Sequence, residues 1–421
     1  MKVIFLLGAM PHYLLALLNI LSKVPNLQIV VVLPDKKSKS VGEGVYESYE
    51  NIFFKMVKLR EVSTFLFKKP YFSGLYSVIE QEKPDVLMLG WPYILGYLLD
   101  WRLRLLMKKR KIKLIYRSIP YQLPFYNEAM KYYTYKGFFD ENMNHIKADT
   151  LLKKLKYKFL IFLNKYYFNL VDLHLNYATT AYKILESYGV AKEKIVVSYN
   201  SGDTDELLRA KDIIKNIPEK LEYSPYRVIH VGRLIKWKKV DMLIRVIADL
   251  SKVYPDIELI VIGSGPEERK LKELTLELGL EKKVNFVGAI HNAEKLGIYL
   301  QASAVYVLAG VGGLSINDAM IFGKPVICSE ADGTEKDLVL DGKTGFIFEN
   351  NNREDLSKKI AYCFDNQKYT IEMGKNAESL IMNKINIHTV ASKFVEAFNK
   401  VTAYKYNLKY DKFYTCSRGK T

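Results

Sequence analysis

Short apolar runs alternate with amphipathic stretches along most of the chain. Val3–Leu7 is the first run, closed by Gly8, and reads as a buried strand. Tyr13–Leu21 follows with Leu14, Leu17, Leu18 and Leu21 at helical spacing, and Gln28–Leu33 is a second strand stopped by Pro34. Residues 35–50 are polar and read as a loop. The alternation resumes with a helix at Tyr76–Glu82, a strand at Asp85–Leu89, one helix across Leu95–Met107 and a strand at Lys113–Tyr116. Val171–Leu175 and Lys194–Ser198 are strands around a helix at Ala178–Tyr188. A second series starts at Arg227. Strands Arg227–Val231, Glu258–Ile262, Val284–Phe286 and Ala304–Leu308 alternate with helices Val240–Lys252, Glu267–Leu278 and Ala293–Gln301. Alternation of this kind predicts an α/β chain with parallel sheets covered by helices on both faces. It divides into a Rossmann-like domain at 1–205, a linker at 206–226 containing Pro218 and Pro225, a second Rossmann-like domain at 227–385, and a helix and tail at 386–421 that packs back on the first domain. Ligands of such folds bind at the carboxyl ends of the strands, here in the cleft between the two halves.

Three loops of the second series carry candidate chemistry. After Ala304–Leu308, Gly310, Gly312 and Gly313 break the apolar pattern, and Leu314, Asp318 and Ile321 restart it at helical spacing until Pro325. Glycines let a ligand approach the backbone, and amides opening a helix suit an anion. Asp318 lies about one turn in, within reach of a ribose hydroxyl. The loop from Gly232 to Lys238 follows another strand and brings two cations, Arg233 and Lys238, suited to a diphosphate. Gly263-Ser264-Gly265-Pro266 follows a third. Each loop alone is also what an unliganded βα turn looks like; their order and spacing together are what point to a nucleotide site.

Charge and composition narrow the partners. The net charge is +17 over 421 residues, which favours a phosphorylated substrate, an anionic membrane surface or nucleic acid. Nucleic acid fits poorly, because no helix-turn-helix, zinc or single-strand-binding pattern is present and the loops above would go unused. Cys328, Cys363 and Cys416 are widely spaced and form neither a disulfide framework nor a zinc site. The apolar start of the chain is interrupted by Pro11 and His12, and reads as a strand, not a signal peptide. No run reaches membrane-span length. The expected location is the cytoplasm, or the cytosolic face of a membrane. For the latter, Leu151–Leu170 aligns Leu151, Leu155, Phe159, Phe162, Tyr166 and Leu170 in one stripe flanked by Lys154, Lys158 and Lys165. The same pattern also suits a core helix with solvated lysines. Residues 131–139 add tyrosine and phenylalanine beside it.

The segments VIHVGRLIKWKKVDMLI, LIVIGSGPEERKL, VNFVGAI, LAGVGGLSINDAMIFGK and CSEADGTEKDLVLDGKTGFIF stand in that order between residues 227 and 349. They resemble the retaining, nucleotide-sugar-dependent glycosyltransferases with the GT-B fold usually called family four. IVVSYNSGDTD resembles the end of that family's first domain. The resemblance implies a sugar transferred from a UDP- or GDP-sugar to a glycan or lipid-linked saccharide, in cell-surface polysaccharide or glycoconjugate synthesis, without metal or other cofactor. It implies that Arg233 and Lys238 hold the diphosphate. Donor contacts would fall at Gly232, Gly263, Gly265, Gly310, Gly312, Gly313, Leu314, Asp318 and Glu335. The family carries an acidic residue where this chain has Gly310, which leaves the amides of Gly312, Gly313 and Leu314 to hold more of the sugar. It also carries a histidine after a middle strand of the first domain; here Arg117 and Ser118 stand near that place. His12, in the first βα loop, is the acceptor-side candidate, while His145 and His174 read as structural. A homologue that binds a donor without turning it over is the alternative.

Overall fold

The computed structural model describes residues 1–36, 47–66, 68–118, 123–139, 144–218, 221–331 and 333–404. Cys416 and most of the predicted tail therefore lie outside the described residues. The first half is built on β1 (Lys2–Leu6), β2 (Gln28–Pro34), β3 (Lys55–Leu59), a small antiparallel pair β4 (Glu61–Ser63) and β5 (Pro70–Phe72), β6 (Val86–Gly90), β7 (Lys113–Ser118), a second small pair β8 (Phe138–Phe139) and β9 (His145–Ile146), β10 (Leu173–Asn176) and β11 (Ile195–Val197). Seven of these form one parallel sheet in the order β11-β10-β7-β6-β1-β2-β3. The second half holds β12 (Arg227–Val231), β13 (Glu258–Ile262), β14 (Val284–Gly288), β15 (Val305–Leu308), β16 (Val326–Ser329) and β17 (Gly345–Phe348). They form a parallel sheet in the order β14-β13-β12-β15-β16-β17. In both sheets the strand order reverses at the first strand of the half, which opens a crevice at the carboxyl ends.

The central strands are nearly continuous apolar runs because both faces are covered. Ile4, Leu6, Leu87 and Leu89 face one core of the first sheet, and Val3, Phe5, Val31 and Met88 face the other. Val228, Leu259 and Val307 against Ile229, Ile260 and Leu308 repeat the arrangement in the second.

Three differences from the sequence reading have physical causes. The helix expected over Leu95–Met107 is two helices, Tyr93–Leu99 and Trp101–Arg110. Asp100 interrupts it and caps the second by accepting from the Leu103 amide at 3.0 Å. The predicted linker starts as helix: Thr204–Lys215 is capped by Asp203, which accepts from the Glu206 amide, and packs on helices Ala293–Gln301 and Ser315–Ile321. The edge strand β3 was not expected, because its lysines and half-exposed residues hide the apolar pattern.

The last described helix, Ile387–Val401, returns to the first half. It packs on helix His12–Ser22, and Phe394 and Phe398 sit against Phe5 with centroids 6.4 Å away. The chain thus crosses between halves twice. The crossings are tied where the Ile387 amide donates to Thr204 Oγ1 at 3.1 Å and His388 pairs with Asp205 at 2.8 Å. Among the described residues no helix is long and apolar enough to cross a membrane.

Candidate active site in the cleft

A cavity of about 800 Å³ lies between the two halves. The second half supplies the β12 loop with Gly232, Arg233, Trp237 and Lys238, the β13 loop with Gly263 and Ser264, and Gly312, Gly313 and Leu314 after β15. The first half supplies His12, Tyr13, Tyr177, Tyr199 and Asn200. Most of the residues proposed from sequence as donor contacts thus share one enclosure.

Lys238 is buried, and its ammonium donates to the carbonyls of Val311 and Gly312 at 2.8 and 2.7 Å. This bond pins the glycine loop to the β12 loop and fixes a positive charge in the cavity wall. A Cβ on Gly313 would lie 3.2 Å from Lys238 Nζ, so the Gly313 backbone and the ammonium are neighbours. Ser315 completes this wall. Its hydroxyl pairs with the Tyr306 hydroxyl at 2.7 Å, and that hydroxyl also reaches the Val231 carbonyl. Arg233 is half-buried and lines the same space. Two cations and a stretch of small residues with accessible backbone suit a ligand with clustered negative charge.

Four predicted residues lie beside the cavity, not in its wall. Gly310 is packed against the turn at 236–238: a Cβ there would meet the Trp237 carbonyl oxygen at 1.8 Å. Gly265 is closed off by the Leu234 carbonyl in the same way, at 2.4 Å. Glu335 is buried and turned into its own loop, accepting from the amides of Ala331 at 3.2 Å and Gly333 at 2.8 Å. Asp318 faces the loop at the first crossing, where a Cβ on Gly202 would lie 3.3 Å from its Oδ1. Burial, with a smaller push from the Glu206 charge, raises its pKa from 3.8 to about 7.

His12 opens the first helix and is exposed at the cavity, its ring edge-on to Tyr13. His174 is buried, its Nε2 paired with the Phe168 carbonyl at 2.8 Å, and burial pushes its pKa down to about 4. His145 pairs with the Lys136 carbonyl at 2.6 Å.

Sequence reasoning missed Asn200, Asn317, Thr334 and Asp337, all in the wall. Asn317 donates to the Asn200 carbonyl at 3.1 Å, and Asp337 accepts from the amide and hydroxyl of Thr179 at 2.7 and 2.6 Å. All three bonds cross from one half to the other. Asn317 lies in LAGVGGLSINDAMIFGK and Asn200 in IVVSYNSGDTD, but nothing local marks them as partners.

Residues 212–380 match the family model described as glycosyl transferases group 1. The chain is 33% identical over 162 residues to an uncharacterized glycosyltransferase of Haemophilus influenzae, covering 38% of this chain and 44% of that one. It is 30% identical over 185 residues to an alpha-monoglucosyldiacylglycerol synthase of Acholeplasma laidlawii, covering 43% and 44%. With a poly(ribitol-phosphate) alpha-N-acetylglucosaminyltransferase of Staphylococcus aureus it shares 25% over 203 residues, 48% and 41% of the two chains. The chain thus spans less than half the length of these curated relatives. Among solved structures, an Anabaena protein crystallised with UDP superposes with a TM-score of 0.63 at 18% identity, over 95% of this chain and all of that one. Sucrose-phosphate synthase from Thermosynechococcus elongatus gives 0.65 at 16% identity, over 96% and 99%.

Proposed function

With residues 212–380 a glycosyl transferases group 1 domain on a GT-B frame, we propose that this chain is a retaining glycosyltransferase that takes its sugar from a nucleoside-diphosphate donor, UDP- or GDP-linked. The observation carrying this reading is the convergence of Arg233, Lys238 and the backbone of residues 312–314 on one cleft cavity.

The chemistry follows from where charge develops. As the bond from the anomeric carbon to the diphosphate breaks, negative charge grows on the departing phosphate. Fixed cations and oriented amides stabilise that charge without reorganising. Arg233 and Lys238 supply the cations, and Gly313 and Leu314 the amides. The acceptor hydroxyl attacks from the face the diphosphate leaves, and the departing phosphate takes its proton, so configuration is retained without an enzyme nucleophile. Asp318 is the candidate for the donor ribose; to reach it, its carboxyl turns from the Gly202 loop past the cavity residue Asn317. His12 and Tyr13, from the opposite wall, face the reacting sugar. The UDP carried by the Anabaena neighbour supports a uridine diphosphate donor.

The acceptor is a saccharide or lipid-linked saccharide for cell-surface glycan or glycoconjugate synthesis, reached from an anionic membrane surface on the cytoplasmic side. In helix Leu151–Leu170, the stripe residues range from 40% exposed at Leu170 to 74% at Leu151, with Lys154, Lys158 and Lys165 exposed around them. The Acholeplasma relative, whose name specifies a diacylglycerol product, supports that choice.

The test is a thermal-shift and hydrolysis screen with UDP-, GDP-, ADP- and CMP-sugars. One donor is expected to raise Tm and to release its diphosphate slowly. Arg233→Ala is expected to weaken that donor at least about tenfold, the scale of a charge-assisted phosphate contact. Stabilisation by none of the four would overturn the reading. A second reading, donor binding without turnover, is favoured by Gly310 standing where the resembled family carries an acid. Tight donor binding with no diphosphate release in the presence of any acceptor would select it.

A further inference from the structure

A second cavity, of about 610 Å³, lies within the first half at the carboxyl ends of β1, β6 and β7. Its wall is aromatic, with Trp91, Tyr93, Tyr133, Tyr157, Tyr167 and Tyr177 among the residues. Arg117, Ser118 and Asn164 are its polar side chains of note, and among the described lining residues there is no carboxylate.

Arg117 is held in an unusual state. Its Nε and Nη2 are buried and have no hydrogen-bond acceptor among the described residues. The guanidinium lies 4.6 Å from the centroid of the Tyr177 ring and 5.3 Å from that of Phe394. Aromatic faces attract a cation, but they accept no in-plane hydrogen bond, and a desolvated guanidinium with unused donors is costly. The planar fork matches a phosphate or carboxylate. Tyr177, which covers Arg117, also belongs to the wall of the cleft cavity. An anion on Arg117 therefore lies one tyrosine away from the donor site.

We propose that Arg117 is the anion-binding residue of an acceptor pocket, and that the acceptor is an amphiphile joining a phosphate or carboxylate to an apolar or sugar portion that packs on the tyrosines. The assignment of this ligand as the acceptor rests on the transferase reading; the anion site itself does not. Helix Leu151–Leu170 gives Tyr157, Leu160, Asn164 and Tyr167 to the pocket while Phe159 and Phe162 stay exposed. One element thus joins the pocket wall to an apolar surface, as an acceptor drawn from a lipid phase requires.

The experiment titrates the full chain, and its Arg117→Met and Arg117→Lys variants, with octyl phosphate, glucose 1-phosphate and octyl glucoside. UDP titrations on the same samples report on the donor cavity separately. At least one phosphate probe is expected to bind the unaltered chain. Arg117→Met is expected to weaken it about tenfold or more, with partial rescue by Arg117→Lys and no change for the uncharged octyl glucoside. Preference for octyl phosphate assigns a lipid-borne anion, and preference for glucose 1-phosphate a soluble sugar phosphate. Failure of both phosphates to bind, or equal binding by a folded Arg117→Met chain, overturns the proposal whatever UDP does. Arg117-dependent phosphate binding in a chain that ignores every nucleotide leaves the site standing and removes the transferase reading.

Discussion

Gly310 is fixed by sterics. The β15 loop lies directly on the turn at 236–238, and any side chain at 310 would strike the Trp237 carbonyl. Gly310→Ala is therefore expected to push that turn away and to draw Lys238 off the Val311 and Gly312 carbonyls. A stability loss of about 1–3 kcal/mol in urea unfolding, with weaker nucleotide binding, is the expected outcome. Unchanged donor affinity would show that the pinning of the loop does not matter. Asp318 makes a pH prediction. Its pKa is raised to about 7 in the folded chain, from 3.8. Between those values the unfolded chain holds fewer protons at this residue, so its contribution to stability falls as pH rises, then levels off. Asp318→Asn lacks that slope. The Tm of Asp318→Asn minus that of the unaltered chain is expected to grow from pH 4 to pH 7; a flat difference would contradict it. At this scale the sequence revealed the cations and the glycines, because their types already state their chemistry. It did not reveal that Glu335 turns back into its own loop, or that Asp337 reaches Thr179, because both depend on how distant segments pack.

The elements were legible where burial was complete. Strands β12, β13 and β15 read directly from their apolar runs, since a strand covered on both faces has no polar alternation to confuse. The split at Asp100 was hidden because one capping side chain outweighs a continuous helical pattern. The amphipathic helix Leu151–Leu170 was legible as a helix, but its apolar stripe served equally for a core or a membrane. Its exposure favours the surface, while Ile161, Tyr167 and Phe168 on the other face anchor it. Replacing exposed Phe159 and Phe162 by serine is therefore expected to change stability by less than about 0.5 kcal/mol each. The same change is expected to reduce co-sedimentation with anionic vesicles at low salt. Undiminished sedimentation would exclude this face as the docking surface.

For the whole molecule, the sequence conveyed two α/β halves and a cleft. It did not convey which bonds hold the cleft shut, since no local pattern encodes contacts between units. Thr179 and Asp337 supply two such bonds, in addition to the tie between Ile387 and Thr204. Asp337→Ala is expected to raise the radius of gyration measured by solution scattering without nucleotide; an identical profile would show that other contacts set the closure. The second crossing also has a bearing on synthesis. The first sheet ends at Val197, yet Phe394 and Phe398, which cover Phe5, come almost two hundred residues later. At ribosomal speeds of about 5–20 residues per second, that face waits roughly 10–40 s for its cover. During that interval the nascent first half shows the cell the part of this apolar face that helix His12–Ser22 leaves open, a substrate for holding chaperones. A premature stop just before Ile387 would leave every described residue of the cleft cavity in place and still yield an aggregating product.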